Sequence, residues 1–161
     1  MVLIGAPGAG KTRTGKRVAR LLGAAFIDTD KRIVDEHGPI SALFQQHGEP
    51  HFRAIERAVV ARALREPAVV TLGAGAVIDP LTQADLSRKR VVQLTISPDA
   101  VAARLTGTKR PLVADGLSAW TALVEARQPV YDRLSQITVD TSSQPLELVA
   151  EKIADWVRGQ R

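Results

Sequence analysis

Apolar and polar positions alternate between two rhythms along this chain. Val2-Leu3-Ile4, Ala25-Phe26-Ile27, Val69-Val70-Thr71-Leu72, Val91 to Ile96 and Ile137-Thr138-Val139 are short apolar or β-branched runs. They are strand-length and largely continuous, as expected of strands covered on both faces. Between them the spacing turns helical. Val18, Leu21 and Leu22 share a face after a glycine-rich loop, and a helix is expected to begin near Lys31. Ile40 to Leu64 is helical with an interruption around Gly48-Glu49-Pro50. Trp120, Leu123 and Val124 lie on a stretch ending at Arg127-Gln128-Pro129-Val130-Tyr131. Leu146 to Val157 closes the chain, with Leu148, Val149, Ile153 and Trp156 or Val157 on one face. The alternation predicts an α/β domain, a central parallel five-stranded sheet in three αβα layers. In such sheets ligands bind beyond the carboxyl ends of the strands.

Length and composition narrow the picture. The 161 residues, 45% hydrophobic and 24% charged, suit one domain spanning 1–161 with a sizeable core. No apolar run is long enough for a membrane span, and residues 1–5 are too short for a signal-peptide core, so a cytoplasmic protein without membrane partners is expected. The absence of Cys removes disulfides, thiolate metal sites and thiol nucleophiles. A net charge of +5 with only 4% aromatic residues fits small anions better than nucleic acid. One compact domain is expected to act as a monomer. His47 and His51 are separated by Gly48 and Pro50, so no metal pair is expected there.

The chemistry gathers just after the strands. Gly5-Ala6-Pro7-Gly8-Ala9-Gly10-Lys11-Thr12 fits G-x-x-x-x-G-K-[ST] between a strand and a helix. Backbone N–H groups and the helix N-terminus of such a loop cradle phosphates, the lysine reaches the outer phosphates and the hydroxyl ligates Mg²⁺. Gly8, Ala9, Gly10, Lys11, Thr12 and Arg13 are therefore candidate ATP-binding residues, and Lys11 a candidate catalytic one. A guanine-reading N-K-x-D segment is ruled out, because the chain has no Asn. A large mechanical ATPase would usually need a longer chain than 161 residues, so a small-molecule kinase remains.

Asp28-Thr29-Asp30 follows the second strand. If extended, it would turn Asp28 and Asp30 to the same side, to hold Mg²⁺ or accept a hydroxyl proton. The plainer alternative is a strand end in which Asp30 caps a helix. Arg53 and Glu56 are spaced to pair on a helix, where an oriented guanidinium suits a substrate carboxylate. Gly73-Ala74-Gly75 lets backbone approach a ligand. Thr106-Gly107-Thr108-Lys109-Arg110-Pro111-Leu112 is a basic loop suited to a mobile lid, about 106–118, with Arg110 meeting the transferred phosphoryl group. Arg127 is a second anion clamp or a cation at a helix end, and Arg104 a base-stacking or a merely solvated cation.

In combination and order these segments resemble the shikimate kinase family, small P-loop kinases related to nucleoside-monophosphate kinases. The resemblance rests on Gly5 to Thr12, Asp28-Thr29-Asp30, Phe52-Arg53-x-x-Glu56, Arg110-Pro111-Leu112 and Arg127-x-Pro129-x-Tyr131, and covers nearly the whole chain. It implies a P-loop kinase fold with a substrate-binding helical segment about 31–62, and ATP-dependent phosphorylation of the 3-hydroxyl of shikimate. Thr12, Asp28 and Asp30 would support Mg²⁺. Asp30 would meet the substrate hydroxyls as candidate base. Arg53, oriented by Glu56, and Arg127 would bind the carboxylate, and Arg110 both substrate and phosphate. Three departures stand out. The family's G-G-G-A turn reads Gly73-Ala74-Gly75-Ala76, where the Cβ of Ala74 would strain a left-handed backbone. The lid is slightly short, and Asp140 to Pro145 lacks an arginine at the adenine side. Related kinases for other hydroxy acids such as gluconate, and a non-catalytic nucleotide-binding relative, are the alternatives.

Overall fold

The computed structural model describes residues 1–105 and 116–159. Five strands, β1 (Val2–Gly5), β2 (Ala25–Asp28), β3 (Ala68–Thr71), β4 (Val91–Thr95) and β5 (Ile137–Asp140), form one sheet in the order β2-β3-β1-β4-β5. Every pairing is parallel. Seven helices are described: α1 (Lys11–Leu22), α2 (Thr29–His37), α3 (Ile40–Ala63), α4 (Pro80–Leu86), α5 (Pro98–Leu105), α6 (Leu117–Leu134) and α7 (Leu146–Gly159), with a short 3-10 turn at Ala76–Ile78.

The period-2 geometry of the strands divides the core. Val2 and Ile4 of β1 join Val70, Leu72 and Tyr131 in one cluster. Leu3 joins Val18, Leu94, Trp120, Val149 and Ile153 in another. The continuous apolar runs of β1, β3 and β4 are thus strands buried on both faces, as their sequences predict, whereas the edge strands β2 and β5 are only partly buried, against that expectation. A third cluster of Ile33, Leu43, Phe52 and Val59 holds α2 against α3.

Register aligns the carboxyl ends. Leu3 and Asp28 both lie opposite Thr71, so the loop after β1, the end of β2 and the turn after β3 adjoin. The chain runs from β1 to β2 across β3, then to β4 on the other side of β1. That reversal opens a crevice beside β1, where open α/β sheets place their ligands.

Several local readings change. β2 ends at Asp28, whose side chain accepts the Lys31 N–H at 3.1 Å and caps α2. Asp28, not Asp30, is therefore the cap, and the two aspartates are not neighbours on one extended strand. Asp30 lies on the first turn of α2. The interruption of α3 is real: Gly48 has φ 79° and ψ 170°. It nevertheless leaves the His47 and His51 rings 4.6 Å apart. α6 continues past Arg127 and Pro129 to Leu134, so Arg127 is not at a helix end. α4 was not among the expected helices; Asp79 caps it, accepting the Thr82 N–H at 2.8 Å, and Pro80 takes its first helical position. Of the expected lid, residues 106–115, including Arg110, lie outside the described residues, and Leu117 already belongs to α6.

Candidate active site

The loop after β1 turns through Gly8 and Gly10, at φ 85° and 83°, into α1. Its carbonyls are taken up in succession. Lys11 Nζ donates to Gly5 O at 2.8 Å and Ala6 O at 2.9 Å. Trp120 Nε1 donates to Pro7 O at 2.9 Å, Arg104 Nη1 to Gly8 O at 3.1 Å, and Thr141 Oγ1 lies 3.0 Å from Ala9 O. Arg104 also donates to the hydroxyl and carbonyl of Thr141. It is thus neither a purely solvated cation nor free of the loop. Arg13 is exposed on the first turn of α1.

Thr12 Oγ1 donates to Asp28 Oδ2 at 2.6 Å at the mouth of this loop. The pair supplies hard oxygen atoms where the outer phosphates of a nucleotide would lie. Mg²⁺ usually takes only one or two protein oxygens and completes its shell with phosphate and water. Thr12 and Asp28 fit that requirement, with Asp30 near enough to Asp28 to feel its charge.

Asp30 is half-buried beside the glycine turn. Burial raises its pKa above the ordinary aspartate value, and the Asp28 charge adds to the rise; Lys11 and Arg53 work against it. A carboxyl so placed is a stronger proton acceptor than a solvated one.

Across from it, α3 presents Arg53. Nη1 of Arg53 donates to Glu56 Oε2 at 2.6 Å, and Nη2 and Nε reach Glu49 Oε1 at 3.3 Å. Its guanidinium carbon lies 5.3 Å from the centroid of the Phe52 ring. Burial opposes the charge on Arg53, but its bonds to Glu56 and Glu49 outweigh that, and its pKa lies above the ordinary value. Glu56 is only 4% exposed. Burial raises its pKa, with Arg53 and Arg127 opposing and Asp30 assisting the rise. Glu56 is therefore the group around which Asp30, Arg53 and Arg127 converge.

Nη1 of Arg127 is buried with no hydrogen-bond partner among the described residues. A buried guanidinium N–H without an acceptor is costly. Beside it, Tyr131 donates its hydroxyl to Ala74 O at 2.7 Å. The Tyr131 phenol is pushed above its ordinary pKa by burial, with Arg127 opposing.

The turn after β3 needs glycine for room. A Cβ on Gly73 would lie 2.6 Å from Asp30 Oδ1, and one on Gly75 would lie 2.6 Å from Arg53 Nη1. No residue other than glycine has a positive φ among the described residues, so Ala74 escapes the strain its sequence position suggested.

The sequence missed four contributors. Glu49 was legible from its spacing to Arg53. The bonds of Trp120, Thr141 and Tyr131 to distant backbone have no local signal. Among the described residues, no group of three or more His, Asp or Glu forms a metal centre, and no helix is long and apolar enough to cross a membrane.

Comparisons with known proteins point to one family. The family model for shikimate kinase matches residues 7–158. A protein named shikimate kinase from Thermobifida fusca is 46% identical over 158 residues, covering 95% of this chain and 91% of its own. The solved shikimate kinase of Acinetobacter baumannii, in complex with shikimate, superposes with a TM-score of 0.93 at 29% identity, over 99% of this chain and 93% of its own. A gluconokinase from Sinorhizobium meliloti reaches a TM-score of 0.64 at 21% identity, over 99% and 95%, and shares the fold alone. The match of the family model to residues 7–158 and the 46% identity to the Thermobifida fusca protein show that the chain belongs to the shikimate kinase family.

Proposed function

We propose that this protein transfers the γ-phosphoryl group of ATP to the 3-hydroxyl of shikimate, a step in aromatic amino-acid (chorismate) biosynthesis. One observation supports the acceptor above others. Arg53 is held by two carboxylates, while buried Nη1 of Arg127 lacks an acceptor, and both arginines converge on Glu56. A cyclic hydroxy acid supplies the missing acceptor through its carboxylate and turns a hydroxyl to Asp30.

The reaction forms a bond from the hydroxyl oxygen to the γ-phosphorus and breaks the bond to the β–γ bridging oxygen, releasing ADP. Asp30 orients the hydroxyl and takes its proton. Lys11 leaves the loop carbonyls for the β- and γ-phosphates and offsets charge on the transferred group. Arg53 and Arg127 fix the acceptor's register, which is where most of the catalysis of a loose transition state lies. Gly73, Ala74 and Gly75 bring backbone against the acceptor. Gly8 to Thr12, with Arg13, surround the phosphates. Arg104, whose edge donors are held by Gly8 and Thr141, still has a planar face to offer adenine. Arg110 joins the phosphoryl group from outside the described residues. Thr12 and Asp28, with Asp30 nearby, would hold Mg²⁺, which when bound offsets the charge of the outer phosphates. The protein works as a monomer in the cytoplasm on these small molecules.

A coupled assay of ADP release with Mg²⁺ tests this, comparing shikimate, gluconate and no acceptor. Shikimate-dependent release is expected. Release that is equal without acceptor, or that prefers gluconate, would overturn the assignment.

A further inference from the structure

Each carbonyl from Gly5 to Gly8 accepts a hydrogen bond, and the donors come from three different segments; the Thr141 hydroxyl lies 3.0 Å from Ala9 O and equally from Thr95 O. In a planar trans peptide, the carbonyl of one residue and the N–H of the next point in opposite directions. Holding Pro7 O therefore aims the Gly8 N–H. The Ala9 N–H turns back to Ala6 O at 3.2 Å. The cradle offered to a phosphate is thus set from outside the loop.

Trp120 differs from Lys11 and Arg104, which are charged, and from the buried Thr141 hydroxyl, which has Thr95 O as an equally near acceptor. Trp120 is 2% exposed, on the apolar side of α6, within the cluster that includes Ala6, Ala9 and Val101. Its one polar hydrogen goes to Pro7 O in a buried bond. The loop has little slack to compensate, since a Cβ on Gly8 would lie 2.6 Å from Val101 Cγ2.

We propose that Trp120 is a positioning residue for the nucleotide: its indole N–H holds the Pro7 carbonyl so that the Gly8 N–H points into the phosphate cradle. The proposal rests on reading this loop as the ATP site, but not on shikimate being the acceptor. Trp120→Phe keeps a ring in the pocket and deletes the N–H. Calorimetric titrations with ADP alone and with shikimate alone are to be compared with the parent. The ADP Kd is expected to rise about fivefold, the worth of one net hydrogen bond. The shikimate Kd is expected to stay within about twofold, because the only polar hydrogen of Trp120 goes to Pro7 O on the phosphate loop. An unchanged ADP Kd overturns the proposal. An equal weakening of both ligands also overturns it, since loosened packing would do that. If Trp120→Phe does not fold, Trp156→Phe leaves Trp120 as the sole indole of a chain with two. A saturable change in its emission, at the calorimetric ADP Kd, is then expected, and emission blind to ADP overturns the proposal. ADP binding without shikimate-dependent turnover would remove the acceptor and leave the role of Trp120 intact.

Discussion

Burial and a neighbouring charge hold Asp30 against its ionised form. Burial and the Asp28 charge raise its pKa above the unfolded value. The native state therefore binds the Asp30 proton more tightly than the unfolded chain does. Between the two pKa values, unfolding free energy falls as pH rises. The ionised carboxylate costs stability at neutral pH, and that cost disappears below the unfolded value. Asp30→Asn, isosteric and uncharged, is expected to melt above the parent at pH 7, with the difference closing below about pH 4. The same substitution should lower kcat by about 10²–10⁴-fold, the usual worth of a placed base. Melting curves at both pH values, with turnover at pH 7, check both halves; a variant that melts lower at pH 7 would contradict the electrostatic account. In the parent, kcat/KM should fall on acidification with a midpoint above the ordinary aspartate range. A parallel argument holds for Arg53. Arg53→Lys keeps the charge but loses the fork that reaches Glu56 and Glu49 together, so KM for shikimate should rise about tenfold with kcat little changed.

The element that most separates sequence from structure is the turn after β3. From residues alone, Gly73-Ala74-Gly75 reads as a glycine turn with an unwelcome methyl in the middle. The structure reverses the emphasis: Ala74 has an ordinary backbone, while Gly73 and Gly75 are the positions without room. Ala74→Gly should therefore leave KM for shikimate within about twofold and destabilise by roughly 0.4–1 kcal/mol through the freer unfolded chain. Gly75→Ala should push Arg53 aside and raise that KM by about tenfold or more, the price of a displaced positioning group. Steady-state kinetics on both variants separate room from backbone freedom, and equal effects would refute the distinction. The strands, the phosphate loop, the α3 break and the Arg53–Glu56 pair were legible because their causes are local: continuous apolar runs, a fixed motif, a glycine beside a proline, and helical spacing. The pairing of Asp28 with Thr12 was not, because it depends on β2 and β1 ending level through β3. Nor was the bond from Tyr131 to Ala74, which joins residues 57 positions apart.

At the scale of the molecule, α6 serves both halves of the crevice. Trp120 reaches the phosphate loop, and two to three turns later Arg127 and Tyr131 reach Glu56 and the turn after β3. A ligand that binds only the folded state stabilises it by about 2.7 kcal/mol at a hundred times its Kd. For a chain of this size that corresponds to a rise in Tm of about 5–10 °C. ADP and shikimate should each produce such a rise. Arg127→Met tests whether the two halves are separable: it keeps an unbranched apolar stem on α6 and removes the guanidinium with its buried Nη1. The shikimate-induced rise should vanish and the ADP-induced rise should remain, because no loop carbonyl depends on Arg127. Thermal melts of parent and variant, alone and with each ligand, decide this. Persistence of the shikimate shift would remove Arg127 from the carboxylate site, whereas loss of both shifts would mean that α6 transmits the change along its length and that the crevice behaves as one unit.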